Sequence, residues 1–126
     1  MQVFARFAPN GVEDEVAMLF RYGDNETGIT ATLGTSFRSK LQNWAYLIGE
    51  EGYIAIPDFW RASEAYLYYL DDVVEHFQQG RESFGLNYEA VAAGEDILAG
   101  RQQNAIMPLA TSLRFQQHMA QVRDRF

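Results

Sequence analysis

The sequence predicts an α+β domain, a large and mostly antiparallel sheet with helices packed on one face and the other face available for dimerisation. Two observations carry this. From Gln2 to about Gln78, β-branched and aromatic residues recur with period 2 between turn residues, and after Gly80 the apolar period becomes 3.6. No internal repeat, Ser-rich linker or low-complexity tract interrupts the 126 residues, so a single domain spanning residues 1–126 is expected.

Each element has its own signal. In the run Glu13 to Tyr22, Val16, Met18, Phe20 and Tyr22 share one side, while Glu13, Glu15, Ala17, Leu19 and Arg21 share the other. Asp24-Asn25-Glu26-Thr27-Gly28 is a polar loop ending in glycine, which makes Ile29 to Phe37 the hairpin partner. There Ile29, Ala31, Leu33 and Phe37 oppose Thr30, Thr32, Gly34 and Ser36. Trp44 to Ile48 and Tyr53 to Ile56 flank Gly49-Glu50-Glu51-Gly52, whose glycines permit a tight turn, and Ala62 to Leu70 is a further strand. Leu86 to Ala99 reads as a helix stopped by Gly100, although Gly94 weakens it. Phe115, Met119, Val122 and Phe126 form an apolar stripe on a last helix, widened by Leu109 and Leu113, with Pro108 in its first turn. The sheet face lined by small, Thr and aromatic residues then needs a second subunit or domain, or else is a solvated face.

Composition excludes whole classes of function. Ten Lys and Arg against seventeen Asp and Glu leave a net charge of -7, which argues against nucleic acid as a partner. The absence of cysteine removes disulfides, thiol catalysis and Cys-based metal sites, and the cytoplasm is the default location. The longest apolar stretches, Trp44 to Ile48 and Ala65 to Leu70, are far shorter than the ~18 residues of a membrane-spanning helix. Met1 to Arg6 carries no signal-peptide core.

Motifs for catalysis are mostly missing. No two of the ten glycines are separated by a single residue, so the dinucleotide fingerprint G-x-G-x-x-G does not occur. Lys40, the single lysine, follows Ser39 and makes no phosphate-binding loop, and Gly34-Thr35-Ser36-Phe37-Arg38 fails as a nucleophile elbow. Two histidines, His76 and His118, give no metal-ligand set. Asp72 and His76 are four apart, an acid/base pair if helical, but they read better as surface residues after a strand, and His118 as a solvated helix residue. Glu50-Glu51 and Asp71-Asp72 sit at turns, where solvation explains paired carboxylates. Trp60, after Pro57-Asp58-Phe59, is either a core plug or an aromatic wall of a binding pocket.

Three segments together resemble one family. They are Gly49-Glu50-Glu51-Gly52-Tyr53-Ile54-Ala55-Ile56-Pro57-Asp58-Phe59-Trp60, Leu86-Asn87-Tyr88-Glu89-Ala90 and Met107-Pro108-Leu109-Ala110-Thr111-Ser112-Leu113. In order and spacing they are similar to the C-terminal domain of the glucose-fructose oxidoreductase and inositol dehydrogenase (Gfo/Idh/MocA) family, especially its dihydrodiol-dehydrogenase-like members. The resemblance covers nearly the whole chain. It implies the C-terminal part of an NAD- or NADP-dependent oxidoreductase acting on a sugar, polyol or diol. The N-terminal Rossmann domain, its glycine fingerprint and the E-K-P lysine would lie elsewhere, and the fragment would be inactive alone and bind no cofactor. Asp72 to His76 copies the family's D-x-x-x-H spacing in the wrong place, so no catalytic residue is carried over. The resemblance further implies that the open sheet face forms a homo-oligomer and that Trp60 closes the substrate pocket. Tyr88 and Glu89 match the start of the first helix, as capping or substrate-contact residues, and Phe84 is a wall candidate by proximity. The expected substrate-binding set is therefore Trp60, Phe84 and Tyr88. The alternative is a free-standing homodimeric sheet module that binds a small apolar ligand.

Overall fold

A computed structural model of the chain describes residues 1–81 and 83–126. Its elements are β1 (Gln2–Phe7), β2 (Glu13–Tyr22), β3 (Ile29–Ser36), β4 (Trp44–Ile48), β5 (Gly52–Pro57), a 3-10 turn (Phe59–Arg61), β6 (Glu64–Tyr69), β7 (Asp72–Gln78), α1 (Leu86–Leu98) and α2 (Leu109–Arg123). The class is α+β, as the change of period predicts. The strands form two antiparallel sheets, β1-β2-β3 and β4-β5-β6-β7, where a single large sheet was the expectation. Residues 37–43 contain no strand, and the hydrogen-bond ladder stops there and restarts. The chain divides into two compact units, one comprising Met1–Leu41 with Ala105–Phe126 and the other Gln42–Asn104.

In the first unit β2 is central. Its register sets Val16, Met18, Phe20 and Tyr22 opposite Thr35, Leu33, Ala31 and Ile29 of β3, so the two apolar sides read from the sequence coincide. Val3 and Ala5 of β1 extend that face, and Val16 is buried on it. The β2–β3 loop is folded by Asp24, whose Oδ1 accepts hydrogen bonds from the Glu26 and Thr27 amides at 3.0 and 2.7 Å and from the Thr27 hydroxyl at 2.9 Å. These donors hold the Asp24 carboxyl below its ordinary value of 3.8. Pro108 is the N-cap of α2 rather than a residue of its first turn, and its carbonyl accepts from Thr111 N–H at 2.9 Å. Phe126, just past α2, meets Phe7 of β1 edge to face with centroids 5.8 Å apart. The stripe expected to pack on the sheet stays open: Leu109, Leu113, Phe115 and Met119 are each more than half exposed, whereas Thr111, Val122 and also His118 are partly covered.

In the second unit, Trp44 and Tyr46 of β4, Tyr53 and Ala55 of β5, Tyr66 and Tyr68 of β6 and His76 of β7 share one face by register. Aromatic contacts follow: Trp44–Tyr46 at 6.0 Å, Tyr46–Tyr53 at 6.2 Å and a parallel Tyr53–Tyr68 stack at 4.5 Å. Ala55, small enough to lie beneath these rings, is buried. Gly52 brings β5 close to β6, since a Cβ there would sit 2.1 Å from the Tyr68 carbonyl oxygen. Helix α1 ends as its sequence predicts: Gly100 takes φ +67, its N–H donates to the Ile97 carbonyl at 3.0 Å and Arg101 N–H to Asp96 at 2.8 Å, which is a Schellman closure. Asp96, the buried polar residue of this unit, reinforces the turn by accepting from Arg101 Nε at 2.6 Å and Asn104 Nδ2 at 2.7 Å. Arg101 and Asn104 together hold the Asp96 carboxyl below its ordinary value of 3.8.

Candidate functional site

At the end of β5 the chain turns out of the sheet. Pro57 closes the strand, Asp58 takes φ 45, and Arg61 N–H donates to the Asp58 carbonyl at 2.8 Å to close the 3-10 turn. Phe59 N–H is tied to the Asn43 carbonyl at 3.1 Å. Trp60 is thereby held clear of the sheet as an exposed ring, not as a core plug, and the Arg61 guanidinium lies 4.6 Å from its centroid. The end of β7 runs alongside, where Gln79 N–H donates to the Ser63 carbonyl at 2.9 Å. Residues 83–85 then lead into α1, with Gly85 at φ 93 as its N-cap.

These three stretches line one cavity of about 560 Å³, and Trp60, Phe84 and Tyr88 all belong to its walls. The volume is that of a small-molecule site. Trp60 is thus brought together with Phe84 and Tyr88, which belong to one stretch of the sequence. Glu89 also lines the cavity. Sequence reasoning missed two further members, Arg61 and Arg81. Arg61 pairs with Asp58 at 3.4 Å, and Arg81 Nη1 donates to the Arg61 carbonyl. The Nε atoms of both arginines are buried with no hydrogen-bond partner. Arg61 had one available signal, its position next to Trp60; Arg81 had none, because its approach to Arg61 depends on the pairing of β6 with β7.

Chemically the described lining is equipped for binding, with Glu89 and Tyr88 as its groups able to exchange a proton. It offers aromatic faces, two guanidiniums and one carboxylate, but no histidine, lysine or serine to serve as base or nucleophile. The residues also do not fit a nicotinamide dinucleotide. Among the described residues the strand-to-helix connection is β7 to α1, and its glycines, Gly80 and Gly85, stand five apart instead of in a G-x-G-x-x-G turn. No group of three His, Asp or Glu residues that could hold a metal occurs among the described residues.

Asp72 and His76, expected as surface residues after a strand, are exposed as expected but form part of a strand. Both lie within β7, an exposed strand, so four-residue spacing does not join them as it would on a helix. His76 instead faces β6: its ring stacks on Tyr66 at 4.3 Å, and its Nε2 lies 3.2 Å from Glu64 Oε2, which also accepts the Tyr66 hydroxyl at 2.9 Å. The bond to Glu64 and partial burial raise the Tyr66 phenol above its ordinary 10.0. Glu50, Glu51 and Asp71 lie at turns and Asp72 opens β7, all exposed. No helix among the described residues is long and apolar enough to cross a membrane. In comparisons with known proteins, no family model and no curated protein matches the chain.

Proposed function

We propose that this chain is the substrate-binding and subunit-contact part of an NAD(P)-dependent oxidoreductase acting on a sugar, polyol or diol, with the nucleotide held by a domain outside this sequence. One observation carries the reading: Trp60 and Tyr88, from two motif segments that resemble the Gfo/Idh/MocA family, line the same cavity, together with Phe84 beside the second segment. The chemistry of the lining agrees, since aromatic faces grip the apolar faces of sugar rings while the reacting groups come from elsewhere. A titration with NADPH, followed by tryptophan fluorescence, tests the division of labour. The expected result is no saturable response, and micromolar binding would refute it. The reading frame upstream of the Met1 codon should encode a glycine fingerprint, and an unrelated frame there would favour the free-standing sheet module.

The proposal includes a homo-oligomer formed through the aromatic sheet face. Its support is the exposure of Tyr46 and Ile48 beside the Trp44 ring on β4, an apolar surface that a soluble chain covers with a partner. Ile48, 81% exposed, makes little contact within the chain, so Ile48→Asp leaves the fold intact and should convert the oligomer to monomer in sedimentation velocity. A wild-type chain that sediments as a monomer at high micromolar concentration would remove this part of the proposal.

A further inference from the structure

We infer that the cavity beside Trp60 takes an anionic ring compound, one carrying a carboxylate or a phosphate, with Arg61 and Arg81 as the anion's ligands. This rests on the reading of the cavity as a substrate pocket and names the class of substrate. In a chain of net charge -7, two of its ten basic residues meet in one cavity and face a single lining carboxylate among the described residues, Glu89. The bonds the two arginines make are incomplete. Arg61 reaches Asp58 through its Nη2 at 3.4 Å and Arg81 uses its Nη1 on the Arg61 carbonyl, which leaves the other Nη of each guanidinium to a ligand in the cavity they line.

A carboxylate or phosphate brings paired oxygens that match the planar fork of a guanidinium, whereas a neutral polyol offers single, weaker acceptors. The same cavity is bordered by Gly85 and Leu86 at the start of α1, where no side-chain hydrogen bond caps the helix. That end carries partial positive charge and adds to the field of the arginines. In the same cavity Trp60, Phe84 and Tyr88 supply walls for the ring that bears the anion. The arrangement discriminates by charge, because a neutral analogue gives the two guanidiniums no ion pair.

The test uses the whole chain carrying Trp44→Phe, so that Trp60 is the one fluorophore of its type. Four ligands are titrated: D-glucose, D-glucuronate, D-glucose 6-phosphate and inorganic phosphate. The expected result is saturable binding of glucuronate, glucose 6-phosphate or both, at least about tenfold tighter than glucose, as a charge-assisted hydrogen bond would give. Which of the two binds more tightly separates the carboxylate from the phosphate. Arg81→Gln should weaken that binding by about tenfold at unchanged far-UV circular dichroism, and Arg81→Lys, which keeps the charge but loses the fork, should fall between. Equal binding of glucose and the two anions would overturn the inference while leaving the sugar pocket standing. Inorganic phosphate binding as tightly as glucose 6-phosphate would keep the anion site and refute the substrate-pocket reading. No binding in any arm at high millimolar concentration would overturn both, and an Arg81→Gln variant that binds like wild type would overturn the role of Arg81.

Discussion

Replacing Gly52 by alanine should destabilise the second unit severely, and the structure sets the scale. The added Cβ would lie 2.1 Å from the Tyr68 carbonyl oxygen, 3.2 Å from its carbonyl carbon and 3.4 Å from Tyr69 Cα. All three atoms are backbone of β6, so no side chain can swing aside. Restoring ordinary contact means moving β6 off β5 by more than an ångström, at the rung where Gly52 faces Tyr69. Overpacking of this kind costs about 1–3 kcal/mol, and a weakened ladder hydrogen bond adds about 1 kcal/mol. The expected loss is therefore about 2–4 kcal/mol. Both tryptophans, Trp44 and Trp60, lie in this unit, so fluorescence-detected urea unfolding reports on it selectively. Gly94→Ala is the matched control: its Cβ meets nothing within 4 Å inside α1, and it should gain about 0.5–1 kcal/mol of stability from helix propensity. A Gly52→Ala midpoint within about 0.5 kcal/mol of wild type would refute the close-approach reasoning.

Three other outcomes follow from local geometry. Leu70 takes φ 53 in the β6–β7 turn with its side chain 69% exposed, so Leu70→Gly relieves left-handed strain at little packing cost and should raise the urea midpoint by about 0.5–1 kcal/mol; a lower midpoint would contradict this. Asp24 and Asp96 are held below 3.8 in the folded chain, so the stability they contribute is complete above their unfolded values and is lost as pH falls through the folded ones. Asp96→Asn should flatten that acid limb in pH-dependent urea unfolding and speed amide exchange at Arg101, and an unchanged limb would count against the assignment. Tyr66 is raised above 10.0, chiefly by its hydrogen bond to Glu64. Its stabilising effect is complete below the unfolded value and fades as pH climbs through the folded one. Glu64→Gln should lower the alkaline titration of this phenol in phenolate absorbance, and an identical curve would sever the link.

Features set by neighbouring residues were legible in the sequence. The Tyr22–Ile29 hairpin could be read because Asp24 and Gly28 fold their own loop, and the end of α1 because Gly100 supplies the left-handed residue itself. What could not be read depends on pairing between distant segments. Period 2 tells which residues form strands and not where one ladder ends, so the break at residues 37–43 left no mark. The register of β7 on β6 shifts between Leu67 and Tyr68, and this irregularity sets His76 opposite Tyr66, while the extended strand itself keeps His76 from Asp72. The stripe on α2 was read correctly as a pattern, but a pattern does not say what covers it. For the cavity, Trp60 and Tyr88 were reached through motif resemblance and Phe84 through its nearness to Tyr88, whereas Arg81 required the fold.

The strand order places β7 at an edge of its sheet, bonded to β6 on one side, with every residue exposed. Val73, Val74 and Phe77 would make such an edge adhesive toward other extended chains, and the carboxylates of Asp72 and Glu75 are the groups on it that repel them. Removing both charges, as in Asp72→Asn with Glu75→Gln, would turn a guarded edge into a template for intermolecular strand pairing. Two side chains outside the cavity lining are thus the guard of this edge.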